Sequence, residues 1–193
     1  MARRKQLPAK TFTHRHSAGS WFSLNRSIFR FGLTFCVITL LYYIVALLPW
    51  VDGELFPAYL RANAHASSAI LNCLGQSCHV VGTTIRSPQF AITIKRGCDA
   101  LEPSWLFCAA VLAFPASWPR RLLGMSIGVA VILALNLVRI VSLYFLGIHL
   151  PSVFETMHLE VWPVIFILAA LLLWIGWIAS DRQNHSASAN ATA

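Results

Sequence analysis

One cysteine, Cys98, stands where a polar segment runs directly into an apolar stretch (IKRGCDALEPSWLF). If that stretch is a helix, its N-terminus and the cations of Lys95 and Arg96 favour the thiolate, whereas Asp99 and Glu102 oppose it. We expect this balance to lower the pKa of the thiol and to give a usable nucleophile. The simpler alternative is an inert cysteine packed where the helix begins.

Two later side chains complete a set with recognisable chemistry. Arg139 lies late in another apolar stretch and shares a helix face with Asn136, three residues before it. His158 lies in a polar stretch before the last apolar run. If these residues meet Cys98, they suit acyl transfer: the thiolate attacks a carbonyl, the imidazole protonates the leaving amine, and the guanidinium stabilises the charge on oxygen.

Each residue also has a simpler explanation when it is taken alone. Arg139 could be an interfacial arginine that extends to the membrane surface. It could also pair with Glu160 or Glu102, or bind an anion, in a small transporter or assembly subunit. An arginine near the membrane centre costs about 2.5–3.5 kcal/mol, which favours a partner or a task for this side chain. His158 has two competitors for the histidine role, His79 and His149.

The composition indicates a membrane protein. Of 193 residues, 57% are hydrophobic and 11% are charged, the mean hydropathy is +0.64 and the formal net charge is +8. The cations flank apolar stretches and do not form a soluble basic face, so we expect no nucleic-acid partner. The five cysteines form no CxxC pair and no CxxC with HxxxH arrangement, so the sequence predicts neither a metal site nor a cofactor.

Four apolar runs are long enough to cross a bilayer. The first has about 20 residues without a charge, which span about 30 Å as a helix. The sequence therefore predicts an all-α polytopic membrane protein with about four transmembrane helices in a single domain, residues 31–180. The predicted spans are about 31–50, 101–118, 122–146 and 161–178, with an outer segment at 51–98, an outer loop at 147–160, a basic cytoplasmic tail at 1–30 and a low-complexity cytoplasmic tail at 181–193.

The outer segment between the first two spans has predicted structure of its own. Its residues 55–74 are moderately apolar, which predicts a small amphipathic helix on the membrane surface. Alternating β-branched residues at 79–85 and 90–94, on either side of Ser87-Pro88, predict a short β-hairpin. We expect this ribbon to position Cys98 at the start of the helix that follows it.

Two cysteines of the outer segment leave another alternative open. Cys73 and Cys78 could form a small disulfide loop in an oxidising compartment or remain two unlinked thiols. A thiol-disulfide membrane protein that uses them together with Cys98 is therefore a second alternative. The absence of a CxxC pair argues against it.

The charge distribution predicts the orientation in the membrane. The basic leader and the turn Pro119-Arg120-Arg121 are expected in the cytoplasm, whereas six of the seven acidic residues fall outside. A helix that begins at this turn reaches Arg139 after about 27 Å, close to the outer edge of the hydrocarbon core. This topology places the cysteine, the arginine and the histidine at one extracytoplasmic edge of the plasma membrane, with both termini inside.

Three short motifs resemble those of the exosortase/archaeosortase family. They are GCDALE at residues 97–102 before a helix, NLVRI at 136–140 late in the next helix, and HLEVWP at 158–163 before the last one. The resemblance covers about residues 92–178. Because the chain has far fewer spans than the long exosortases, it resembles the short subclasses.

The resemblance implies a function and a set of site residues. Family members are polytopic membrane cysteine transpeptidases or proteases, and they process C-terminal sorting signals such as PEP-CTERM. The implied partners are exported proteins that end in a short motif, a transmembrane helix and a basic tail, together with membrane lipid. By the same resemblance, the nucleophile, the arginine and the histidine of the triad are Cys98, Arg139 and His158. We assign supporting or substrate-binding roles to Asn136, Glu102 and Glu160.

Overall fold

The computed structural model describes residues 18–191, with side chains for residues 26–180, so the first 17 residues of the predicted basic tail lie outside the described residues. The prediction of a mostly helical membrane protein with a small β insertion is confirmed. The helices are α1 (Ala18–Ala46), α2 (Phe56–Cys73), α3 (Leu101–Ala113), α4 (Trp118–His149), α5 (Pro151–Thr156) and α6 (Trp162–Ala191), the strands are β1 (His79–Val81), β2 (Thr84–Arg86) and β3 (Ala91–Thr93), and single π-helical turns occupy Val51–Leu55 and Met157–Val161.

Three helices of the described chain are long and apolar enough to cross a membrane. They cover Arg26–Ala46, Trp118–His149 and Pro151–Ser180. The predicted second span, residues 101–118, is instead the 13-residue helix α3, about 20 Å long. This helix contacts α1, α4 and α6, so its neighbours cover the sides of a helix that is too short to span the membrane by itself.

The early end of α3 follows from Pro115. Phe114, the residue before this proline, has an extended backbone (φ −78°, ψ 137°), which the proline ring favours because it clashes with a helical predecessor. The next helix, α4, starts at Trp118 and so includes Arg121, which the sequence had placed in a turn. The Arg121 guanidinium donates to the Phe114 carbonyl at 2.9 Å and ties the two helix ends together.

Other predicted boundaries also shift. The first helix begins at Ala18, inside the predicted tail, and ends at Ala46 because the chain turns before Pro49. The predicted outer loop, residues 147–160, is largely helical, since α4 extends to His149 and α5 follows at once. At the C-terminal end, α6 continues beyond the predicted limit of residue 178.

The outer segment folds as one layer against α4. The buried residues of α2 recur at helical spacing, as expected for an amphipathic helix: Phe56, Leu60, Asn63, Ala64, Ser67, Ser68 and Leu71. The predicted hairpin is a three-stranded antiparallel sheet of order β1-β2-β3, because Gly82 (φ +64°) breaks the first predicted strand into two.

Two apolar clusters form the core. One joins α2, the sheet and α4 around Leu71, Ile85 and Tyr144, which are fully buried. The other joins α3, α4 and α6 around Phe107 and Ile132. Because Ile92 of β3 packs against both clusters, the sheet and the helix bundle share one continuous interior.

The close approach of α3 to α4 depends on a glycine. A Cβ atom at Gly128 would lie 2.1 Å from Cε1 of Phe107, a residue that is only 3% exposed. We therefore expect Gly128→Ala to destabilise the protein by about 1–3 kcal/mol through overpacking. The measurement is the apparent melting temperature in detergent.

A matched control is available on α1. A Cβ at Gly32 meets nothing within 4 Å, so Gly32→Ala is expected to keep the melting temperature or to raise it through better helix propensity. Equal melting temperatures for the two variants would show that the glycine of α4 does not set the helix spacing.

Candidate active site

A tight turn presents Cys98 between β3 and α3. The Cys98 N–H donates to the Lys95 carbonyl at 3.0 Å, and Gly97 has the positive φ (+84°) that position i+2 of a type II turn requires. Ala100 also has a positive φ (+59°), which is uncommon for a residue with a side chain. The backbone on both sides of the cysteine is therefore held in conformations that extended or helical chain does not adopt.

Asp99 anchors this turn from within. Its side chain is 3% exposed and accepts from the Leu101 N–H at 3.1 Å, while its carbonyl accepts from the Tyr59 hydroxyl at 2.7 Å. Asp99 and Glu102 have the spacing of a capping box, but none forms, because Glu102 accepts from the Tyr43 hydroxyl of α1 instead. Glu102 thus ties α1 to α3 and lies outside the cysteine cluster.

Arg139 joins the two segments that carry the other polar groups. Its side chain is 5% exposed; Nη1 donates to the Gly97 carbonyl at 3.3 Å and Nη2 to the His158 carbonyl at 3.2 Å. The same Nη2 lies 3.9 Å from Cys98 Sγ. The guanidinium therefore fixes the turn and the start of the last long helix at one point.

The histidine completes the cluster. Nε2 of His158 lies 3.4 Å from Cys98 Sγ, whereas Nδ1 is 4.0 Å away. The His158 ring stacks on Phe154, with ring centroids 5.9 Å apart and an angle of 17° between the planes. This ring lies in the π-helical turn Met157–Val161, and single π-turns inside helices occur frequently at functional sites.

The competing residues lie elsewhere. His79 is exposed in β1, and His149 is exposed at the end of α4, where it stacks on Phe145. Glu160 is exposed and makes no hydrogen bond or ion pair with any residue whose side chain is described. Arg139 also makes no ion pair in that part of the chain, and its two terminal nitrogens already donate to backbone carbonyls.

Sequence reasoning missed a buried polar chain behind the site. Asn136, fully buried, donates to Asn63 Oδ1 at 3.2 Å, and Asn63 donates to the Tyr59 carbonyl at 3.1 Å. Tyr59 in turn holds the carbonyl of Asp99. Tyr59 and Asn63 are four residues apart on α2, so the sequence indicates that they share a helix face. It does not indicate which neighbouring element that face contacts.

Burial reverses the expected ionisation of the cysteine. Desolvation raises the pKa of the Cys98 thiol above its ordinary value. The Arg139 charge lowers this pKa and the Asp99 charge raises it, while a backbone hydrogen bond from Lys95 and the charge of the Lys95 ammonium lower it by less. The expectation of a lowered pKa is therefore wrong, because it counted nearby charges and left out the loss of water. The raised pKa favours the neutral thiol of Cys98 beside the histidine.

The other cysteines do not join this cluster. Cys73 and Cys78 are free thiols, the first exposed and the second buried. The loop between them is closed by Asn72, whose side chain accepts from the Cys78 N–H at 2.7 Å and donates to the Cys78 carbonyl at 3.0 Å. Among residues 26–180, whose side chains are described, no group of three or more His, Cys, Asp or Glu side chains is arranged to hold a metal ion.

A cleft of about 340 Å³ opens beside the cysteine. One wall is β3 and the chain that follows it to Lys95, and the other wall consists of α4 and α5. Cys98, Arg139 and His158 all line it. A volume of this size lies within the range of small ligand sites, so the cleft can admit a short stretch of polypeptide.

The three segments of this site fall within one family match. The model of the transmembrane exosortases matches residues 20–175 of the 193-residue chain. The chain belongs to the transmembrane exosortase family. Membership establishes a membrane protein of the exosortase class and, in general terms, a peptidase-like enzyme. No curated protein and no solved structure matches the chain.

The reactivity of the thiol should follow its surroundings. In a background without the exposed Cys36 and Cys73, alkylation of Cys98 by iodoacetamide is expected to rise with pH at a midpoint above that of free cysteine. Asp99→Asn removes a negative charge that raises the pKa, so the midpoint should move to lower pH.

The control for this titration is Glu54→Gln. This carboxylate lies in the exposed π-turn before α2, so its removal is expected to leave the midpoint unchanged. A midpoint below that of free cysteine in the unmodified chain would contradict the dominant role of burial.

Proposed function

We propose that this chain is a cysteine endopeptidase or transpeptidase that acts within the membrane on the C-terminal sorting signals of exported proteins. One observation carries the proposal: the Cys98 sulfur lies 3.4 Å from Nε2 of His158 and 3.9 Å from the guanidinium of Arg139, in a cleft. Family membership supports a peptidase-like enzyme but does not assign these roles.

The proposed reaction begins from a neutral thiol. As Cys98 Sγ attacks the scissile carbonyl, its proton passes to Nε2 of His158, and the Arg139 guanidinium stabilises the negative charge that develops on the carbonyl oxygen. When the carbon–nitrogen bond breaks, the imidazolium returns the proton to the leaving amine. A thioester remains on Cys98, and water or an acceptor amine then attacks it, releases the thiol and completes hydrolysis or transpeptidation.

A buried thiol suits this order of events. Because desolvation raises the pKa of Cys98, a preformed thiolate is disfavoured and the histidine is needed as a base during the attack. The arginine would act at two levels: it would hold the turn and the histidine segment together, and it would face the oxygen on which charge develops.

We propose exported proteins with a short motif, a C-terminal transmembrane helix and a basic tail as the substrates. Cys98 precedes the apolar helix α3 by three residues, so the reacting sulfur lies where a chain passes from polar surroundings into a hydrophobic helix. The scissile bond of such a substrate would lie at a similar level, because its motif also directly precedes its helix. Both partners would then meet without leaving the bilayer.

The proposed location is the plasma membrane of the cell, with both chain termini in the cytoplasm and the site on the opposite side. The arginine pair of residues 120–121 occupies the first turn of α4, and Arg139 lies about 27 Å along the same helix. Cations that flank a span favour the cytoplasmic side, which supports a site at the extracytoplasmic end.

The assignment of Cys98 as the nucleophile is tested by measuring cleavage of a substrate protein in cells that encode this enzyme. The probe is an exported protein of those cells that ends in an apolar helix and a basic tail. An epitope tag is fused after this C-terminal segment. Cys98→Ala and Cys98→Ser are expected to leave the tag attached. Cys108→Ala, a change at another half-buried thiol, should process normally. Normal processing by both Cys98 variants would refute the assignment.

The arginine is tested with its conservative substitution. A lysine ammonium cannot reproduce the planar fork that donates to the carbonyls of Gly97 and His158, so Arg139→Lys is expected to lower kcat/KM by about 100-fold or more. The matched control is Arg61→Lys on the exposed side of α2. Full activity of Arg139→Lys would favour an arginine that only extends to the membrane surface.

A further inference from the structure

The sheet has a free edge that faces the candidate site. Hydrogen bonds from Ile94 N to the Thr83 carbonyl and from Ser87 N to the Phe90 carbonyl fix the pattern of the antiparallel β2–β3 pair. Because bonded pairs alternate in such a ladder, Ile92 is the residue of β3 that bonds to β2. The backbone N–H and C=O groups of the residues on either side of it point away from the sheet.

These outward groups belong to Ala91 and Thr93. Both residues are exposed, both line the cleft, and no group of the described chain hydrogen-bonds to their backbone. Proteins normally protect such an edge with proline, charge or a covering segment, and Ala91–Thr93 contains neither proline nor charge. The edge therefore offers donors and acceptors in the cleft that holds the cysteine.

The cleft leads along this edge to the reactive group. Phe90 closes it at the start of β3, where its ring packs against Phe154 at a centroid distance of 6.1 Å. From β3 the chain continues through Lys95 to the turn that carries Cys98 at the other end. Five residues of extended chain cover about 16 Å, which gives room for about four or five substrate residues.

We propose that the segment of an exported substrate next to its scissile bond binds as an added strand on β3. This inference rests on the proposed function and specifies how the same site selects its substrate. Main-chain bonds to Ala91 and Thr93 hold an extended peptide, and alternate side chains enter the apolar wall formed by Ile140, Leu143 and Phe154. The enzyme therefore reads the segment as extended backbone with apolar side chains at every second position.

Backbone methylation of the substrate tests the strand directly. The probe is a set of synthetic peptides, each with one backbone N-methyl group. They span the cleavage segment of the exported protein that is processed in a Cys98-dependent manner, and they are assayed with the full-length enzyme in lipid nanodiscs. Only every second N–H of an added strand points at β3. We expect kcat/KM to fall by about tenfold or more at alternate positions and by less than about threefold between them.

A variant of the enzyme provides the reciprocal test. Thr93→Pro removes an outward N–H and leaves the backbone hydrogen bonds between β2 and β3 intact, although it also removes the hydroxyl that bonds to Thr84, so it is expected to raise KM by about fivefold or more. Val80→Pro removes the corresponding outward N–H of β1, the opposite edge, and should leave KM unchanged. The rate of Cys98 alkylation in both variants reports whether the turn still folds.

The outcomes separate the two proposals. One outcome is that peptides are cleaved in a Cys98-dependent way while N-methyl groups at neighbouring positions lower kcat/KM equally. This result overturns the added strand and leaves the proposed function in place. A normal KM for Thr93→Pro with unchanged thiol alkylation also overturns it. If no exported protein or peptide is cleaved in a Cys98-dependent way, the proposed function is refuted and the strand proposal with it.

Discussion

The site depends on one buried guanidinium. A charged arginine that is almost removed from solvent requires hydrogen-bond partners, and Arg139 finds them in the carbonyls of Gly97 and His158. These carbonyls belong to segments about 60 residues apart in the chain, as the Cys98–His158 contact shows. The need to satisfy one side chain therefore determines where the thiol and the imidazole meet.

Hydrogen bonds of the surrounding fold hold that meeting point in place. The buried amides of Asn136 and Asn63 connect α4 to α2, and Tyr59 of α2 holds the carbonyl next to the cysteine. Positive φ values at Gly97 and Ala100 set the path of the turn between β3 and α3. Buried hydrogen bonds of this kind favour one geometry, because breaking them leaves further donors and acceptors unpaired in the interior.

Spacing and hydropathy indicated the residues that the structure brings together, and the resemblance of the motifs was needed to favour His158 over His79 and His149. The apolar runs predicted helices, the polar stretches before them indicated Cys98 and His158, and a charge inside an apolar run indicated Arg139. The boundary at Pro115 was readable in principle, since the residue before a proline avoids helix. The raised pKa of Cys98 could not be predicted from the sequence, because desolvation depends on packing between distant segments. For the same reason, Asn63 appeared only as part of an amphipathic face.

The covalent thioester is the central claim, and trapping it is the most direct measurement. The exported protein identified as a substrate is cleaved by the full-length enzyme in the presence of hydroxylamine, and mass spectrometry reads the new C-terminus of the released product. An acyl-enzyme at Cys98 predicts a C-terminal hydroxamate, because hydroxylamine attacks a thioester in competition with water. Product that carries only a carboxylate at every hydroxylamine concentration would contradict it and would indicate direct attack by water on the peptide bond.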